Sequence, residues 1–337
     1  MQATRKLWTW LAVICALSFA ALGWVGTEIY VSAPPIPKQV VSSKGTEIFA
    51  EGAVMRGQES WLAAGGQQLG SVWGHGSYLA PDWSADWLHR EAVALREIWA
   101  QQTHGTGYAG LQLGQQAALD ARLKEEMRRN THDAATNVIT LSAERAEAVQ
   151  QVAGHYIGLF GDDASLAALR EQYAMLPATL KDVADRKSLA AFFFWSAWSA
   201  TTDRPGEAGL SYTSNWPHEP LVGNTPTAGT GIWSIASVIL MLGAIIAMVF
   251  FHGRHAEEGD PTPPKADPLF SLKPTPSMLA TRKYFFVVIA LILAQVGMGV
   301  LTAHYAVEGT ALFGIPIAQI LPFTVSRTIH TQFAVLW

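Results

Sequence analysis

The sequence predicts a mainly α-helical membrane protein, and three observations carry that prediction. Half of the 337 residues are apolar and only 15% are charged. The apolar residues gather into blocks, and the long polar stretch between the first two blocks carries helical rather than alternating periodicity. The blocks are residues 7–27, 232–251 and 284–303, uncharged runs of 21, 20 and 20 residues. At about 1.5 Å of rise per residue, each crosses a hydrocarbon layer of about 30 Å as a helix.

Residues 1–31 read as an N-terminal transmembrane anchor. Arg5 and Lys6 precede the block, and Trp8, Trp10, Trp24 and Tyr30 stand near its ends as interfacial anchors. A cleaved signal peptide is the alternative, with Val31-Ser32-Ala33 as a small-residue site, but the apolar run exceeds the roughly 7–15 residues of a signal core. The basic pair places the N-terminus in the cytoplasm, so residues 32–230 are expected outside. A second helix over 231–252 then returns the chain to a cytoplasmic linker, 253–283. That linker carries Arg254, Lys265, Lys273, Arg282 and Lys283, in agreement with the positive-inside rule, and its prolines at 261, 263, 264, 268, 274 and 276 make it a semi-rigid spacer.

The exported segment is long enough for one domain with its own core. Ser84 is expected to cap a helix through Trp87, Ala92, Leu95 and Trp99. Others are expected over residues 117–129, from Ser142 to about Leu159, and over 188–201, and Val138 to Leu141 is the one strand candidate. Trp73, Trp83, Trp87 and Trp99 are expected in the core or at an interface. The only cysteine, Cys15, lies in the first membrane block, so the exported region has neither a disulfide nor a thiolate site. A net charge of −4 without a basic run excludes nucleic acid as a partner.

From Thr46 to Pro81 the sequence has a helix containing Ile48-Phe49 and Gly52, then a glycine-rich run, Gly70-Ser71-Val72-Trp73-Gly74-His75-Gly76-Ser77-Tyr78-Leu79-Ala80-Pro81-Asp82. This resembles the membrane-anchored cytochrome c subunit of bacterial nitric oxide reductases, where a CxxCH motif precedes a Tyr-x-Ala-Pro turn. Here Gln67-Gln68-Leu69-Gly70-Ser71 stands before the turn, without a cysteine. A covalent c-type haem needs thiols, so the domain cannot hold one. In losing that haem on a retained scaffold, the chain resembles the fused, quinol-dependent nitric oxide reductases of the heme-copper oxidase superfamily. Further matching pieces are Glu28-Ile29-Tyr30, Phe192-Phe193-Phe194-Trp195, and Ser211-Tyr212-Thr213-Ser214-Asn215-Trp216-Pro217.

The resemblance implies a periplasmic, haem-less cytochrome c-like domain on a bacterial inner-membrane oxidoreductase. Such an enzyme reduces two nitric oxide molecules to nitrous oxide with membrane quinol and requires no cytochrome c; a homodimer is left open. It implies calcium held by backbone carbonyls of Gly76 and Tyr78, beside the propionates of the haem. Spacing alone puts His304 and Glu308 on one helical face at the outer end of the third block, as a quinol site or as interfacial caps. A quinol gives up two electrons and two protons, which suits an imidazole beside a carboxylate, and the resemblance favours the quinol site.

Beyond Glu308, Gly309, Gly314, Pro316 and Pro322 forbid one long helix, so a short surface segment should lead into a new helix near Thr324. The run Arg327-Thr328-x-His330 matches the family pattern in which the histidine is an axial ligand of the low-spin haem b. Arg327 then stands near a propionate. Residues 284–337 are thus expected to begin a catalytic domain. The further ligands, for a high-spin haem b and a non-haem iron, would lie on later helices, so the 337 residues alone are expected to be inactive, with no catalytic residue of their own. A membrane sensor with an exported ligand-binding domain, or an ancillary subunit of a respiratory complex, are the competing classes.

Overall fold

In the computed structural model, which describes residues 2–74, 76–77, 79–255, 265–308 and 313–337, the chain is mainly α-helical. Among the described residues, three helices are long and apolar enough to cross a membrane. They are α1 (Gln2–Val31), α8 (Ala228–His255) and α9 (Pro276–Glu308), with candidate spans Trp8–Val31, Ala228–Arg254 and Pro276–Tyr305. The last begins earlier than expected, inside what the sequence suggested was linker. Pro276 suits the first turn of a helix, where its missing N–H costs nothing, and the Thr275 hydroxyl accepts the Met278 amide at 3.3 Å.

Between α1 and α8 sits a central domain whose axis is α7 (Val183–Thr201). Every residue from Ser188 to Thr201 is buried, as an apolar run without a polar face demands. Around it pack α2 (Ala53–Ala63), α3 (Trp83–His104) and α5 (Ala143–Leu159). The shared core is aromatic: Trp83 lies 5.4 Å from Phe193 and 5.5 Å from Phe160, and Trp87 stacks on Tyr156 at 5.2 Å. Each fully buried large side chain contributes roughly 1.5–3 kcal/mol. The core assignment of Trp83, Trp87 and Trp99 holds. Trp73 is half-buried and donates its indole N–H to the Ser196 carbonyl at 2.7 Å.

The strand at Val138 to Leu141 does not stand alone. A lone strand would leave its backbone groups unpaired, and β1 (Gln39–Ser42), β2 (Glu47–Phe49), β3 (His132–Asp133) and β4 (Val138–Leu141) form one sheet in the order β2-β1-β4-β3. The β1–β4 pair is parallel, Gln39 opposite Val138, and ties the chain leaving α1 to a segment about a hundred residues later. Ile48 and Phe49 are therefore strand, not helix. Gly52, in the left-handed region at φ 73°, turns the chain from β2 into α2.

Helix starts follow side-chain capping. Ser142 accepts the Arg145 amide at the head of α5, as its sequence suggested. At α3 the cap is Asp82, which accepts the Ala85 amide at 3.0 Å, while Ser84 turns back to bond Asp82 and the Trp73 amide. The helix expected over 117–129 is α4 (Leu113–Arg128), one turn longer at its start, where Gln112 and Gln115 form a capping box.

Candidate functional site

The surface segment beyond α9 is built by residues that cannot continue a helix. Phe313 and Gly314 take positive φ of 49° and 77°, and a 3-10 turn runs over Ile317–Gln319. Pro322 then opens α10 (Phe323–Leu336), which packs antiparallel against α9. Hydroxyls join the two helices where apolar side chains cannot distinguish a neighbour from lipid. Ser326 Oγ lies 2.9 Å from Thr302 Oγ1, and Thr302 also donates to the Met298 carbonyl at 2.7 Å.

His330 faces α9. Its Nδ1 is 2.8 Å from the Gln295 carbonyl oxygen, which can only accept, so Nδ1 carries a hydrogen and Nε2 is the nitrogen left to hold a lone pair. This is how metal-binding imidazoles are commonly oriented, with the non-ligating nitrogen donating to a carbonyl. The ring fits because residue 299 is glycine: a Cβ there would stand 2.8 Å from His330 Cε1. Arg327, one turn earlier, is half-buried, and its Nη1 is fully buried with no hydrogen-bond partner among the described residues. A buried guanidinium donor left open in this way suits an anionic group.

His304 is half-buried, with its ring 4.9 Å from that of Phe313 in the surface segment. Glu308 is the last residue of α9, and its side chain lies outside the described residues. His304 is nine residues from Gln295, about 13 Å along the helix axis. The structure therefore puts His304 and His330 on the same helix pair at different depths.

In the glycine-rich turn, Gly76 has φ 88°, and a Cβ there would press on the Ala80 carbonyl oxygen and Asp82 amide at 3.2 Å, which requires glycine. Its amide donates to Ser71 Oγ at 2.7 Å. Tyr78 lies outside the described residues. Buried Asp82 organises the turn. Ser71 Oγ and the Gly74 amide donate to its Oδ2 at 2.7 and 2.6 Å, and Ser84 and the Ala85 amide donate to Oδ1. With both of its oxygens accepting two hydrogen bonds each, that carboxylate is not left open to ligate a hard cation. No group of three His, Cys, Asp or Glu side chains converges among the described residues.

Residues 37–218, more than half of the chain, match the NorB cytochrome c-like family, a cytochrome c-like domain of nitric oxide reductase. The chain belongs to this family. No curated protein matches it. The NorB family is a membrane-bound oxidoreductase family, and the three long apolar helices flanking and following the matched domain agree with that. The matched NorB domain contains no cysteine, so it has no thiol for a thioether-bound haem.

Sequence reasoning missed several residues that shape this site. Gln295 and Gly299 seat His330, and only the Gly297-Met298-Gly299 run inside a membrane block hinted at a close helix approach. Tyr305 is fully buried, donates its hydroxyl to the Leu321 carbonyl and meets Phe323 edge-on at 5.8 Å. Within the domain core, Arg145 Nε lies 2.7 Å from Glu91 Oε1 with both side chains buried, and Trp87 donates to the other Glu91 oxygen at 2.9 Å. Nothing in the spacing of positions 91 and 145 signalled that pair.

Proposed function

We propose that the chain is the N-terminal portion of a quinol-dependent nitric oxide reductase of the bacterial inner membrane, with the central domain in the periplasm. The reaction, two nitric oxide molecules with two electrons and two protons giving nitrous oxide and water, takes both electrons from one quinol. The observation that carries this reading is the cysteine-free domain of a family named for its cytochrome c-like fold. An electron path through a covalent c haem in that domain is closed, and a lipid-soluble donor can reach the helix pair α9–α10 instead.

His304 is assigned to hold one quinol hydroxyl by hydrogen bond and Glu308 to bond and deprotonate the other. His330, with its Nδ1 committed to the Gln295 carbonyl, offers Nε2 to iron, and Arg327 offers its open guanidinium edge to a propionate. A low-spin haem b bound there supplies a one-electron acceptor for the quinol side. The high-spin haem and non-haem iron would need ligands beyond those described, so no step is assigned to them. Calcium is assigned to the carbonyls of the Gly76 and Tyr78 turn.

In a longer protein that includes the following helices, His330→Ala should abolish the low-spin b-haem absorbance. His304→Ala and Glu308→Ala should each cut quinol-driven nitric oxide consumption at least tenfold with haem content intact. Normal turnover in the double variant rejects the quinol assignment, and a retained low-spin spectrum in His330→Ala rejects the haem assignment.

A further inference from the structure

The central domain lacks the thiols for a covalent haem, yet it touches the helix that carries His330. Gly65, at φ 119°, lies against the first turn of α10: a Cβ on it would stand 2.5 Å from Thr324 Cγ2 and 3.2 Å from Thr324 Cβ. Beside this contact, Ala174 from the domain joins Leu301, Tyr305, Ala318 and Phe323 in a buried apolar cluster separate from the domain's own core. Ala174 takes its left-handed φ of 50° as the residue that closes the preceding short helix, where the Met175 amide donates to the Arg170 carbonyl at 2.9 Å. By contrast, the apolar spans of α1 and α8 are unburied. Among the described residues, the buried apolar contact between the domain and the spans lies at the end of α9 and the start of α10.

We propose that the haem-less domain is a fixed clamp on the α9–α10 pair, and that Tyr305 is the positioning residue that couples the clamp to the quinol side. Tyr305 follows His304 directly. Its hydroxyl bond to the Leu321 carbonyl and its edge-on contact with Phe323 lock the end of α9 to the surface segment that the domain presses upon. Through Gly65 and Thr324 the same clamp sets the seating of α10, three residues before Arg327 and six before His330. The contact rests on packing alone; its effect on quinol rests on the function proposed above.

The test uses the longer protein in its membrane, with Cys15→Ala as background. In one arm, Gly65→Cys and Thr324→Cys are combined, since their Cβ separation is close to the roughly 3.5–4.5 Å of a disulfide. Mild oxidation should give the bridged peptide by mass spectrometry, with quinol turnover unchanged between bridged and reduced protein. Absence of the bridge, or turnover lost on bridging and regained on reduction, overturns the fixed clamp. In the second arm, Tyr305→Phe keeps the ring and removes the hydroxyl. KM for quinol should rise roughly tenfold, the size of one lost buried hydrogen bond, with kcat within about twofold and the b-haem spectrum retained. An unchanged KM overturns the positioning role. A protein that forms the bridge but never oxidises quinol upholds the clamp and overturns the quinol reading, so the two failures are distinguishable.

Discussion

Glu91 and Arg145 form the most demanding contact in the central domain, because both charges are out of water and each relies on the other. Removing one partner leaves the second as a buried, unpaired charge. Glu91→Gln should therefore lower stability by about 3–5 kcal/mol, whereas Glu91→Leu combined with Arg145→Met should recover most of the loss; thermal denaturation of the chain in detergent reads both. A second residue-scale effect concerns pH. Tyr156 donates to Asp86 at 2.6 Å and is held well above the ordinary tyrosine range by burial and by that carboxylate, so it stays a donor. Nearby His155 is pushed below its ordinary value, first by burial and then by the Arg90 charge. The unfolded state, with a histidine pKa of about 6.5, then binds more protons than the folded one. This contribution to stability is complete above about pH 6.5 and is lost as pH falls toward the folded value. The melting temperature should drop as pH falls below about 6.5, and His155→Gln should reduce that drop.

At the scale of elements, α2 and α7 meet without a side chain between them at Gly57. A Cβ there would fall 2.0 Å from the Ser188 carbonyl oxygen and 2.7 Å from Phe192 Cβ, so Gly57→Ala must push two helices apart. A loss of about 1–3 kcal/mol or more is expected. Gly154, on α5 with no heavy atom within 4 Å of its Cβ position, is the control: Gly154→Ala should be neutral or stabilise by up to about 1 kcal/mol. Elements differed in how much of them local sequence revealed. The run Val138 to Leu141 was readable because three β-branched residues stand together there, followed by Leu141. Its parallel partner Gln39–Ser42 was not, since pairing across about a hundred residues leaves no local mark. The start of α3 was misread by two residues because Asp82 and Ser84 are both good caps, and the choice depended on Ser71 and Gly74 donating to Asp82.

For the whole molecule, the orientation of the spans is the claim on which the proposed function stands. With Cys15→Ala as background, Leu113→Cys, at a residue 82% exposed on the central domain, should react with an impermeant maleimide in intact cells. Lys273→Cys should react only after permeabilisation. The opposite labelling would place the domain in the cytoplasm and remove the periplasmic quinol reading.

The sequence by itself determined the three long apolar spans, the mainly helical class and the lack of any thiol in the matched domain, because each depends on which residues are present and how they are spaced. It also marked Arg327 and His330 as residues to examine. Only the tertiary structure decided that His330 donates to Gln295 over Gly299, that Glu91 is neutralised by Arg145, and that Gly65 rests on Thr324. Those outcomes depend on distances between atoms far apart in the chain, and a hydrogen bond or a missing methyl acts only once packing has brought its two sides within a few ångströms.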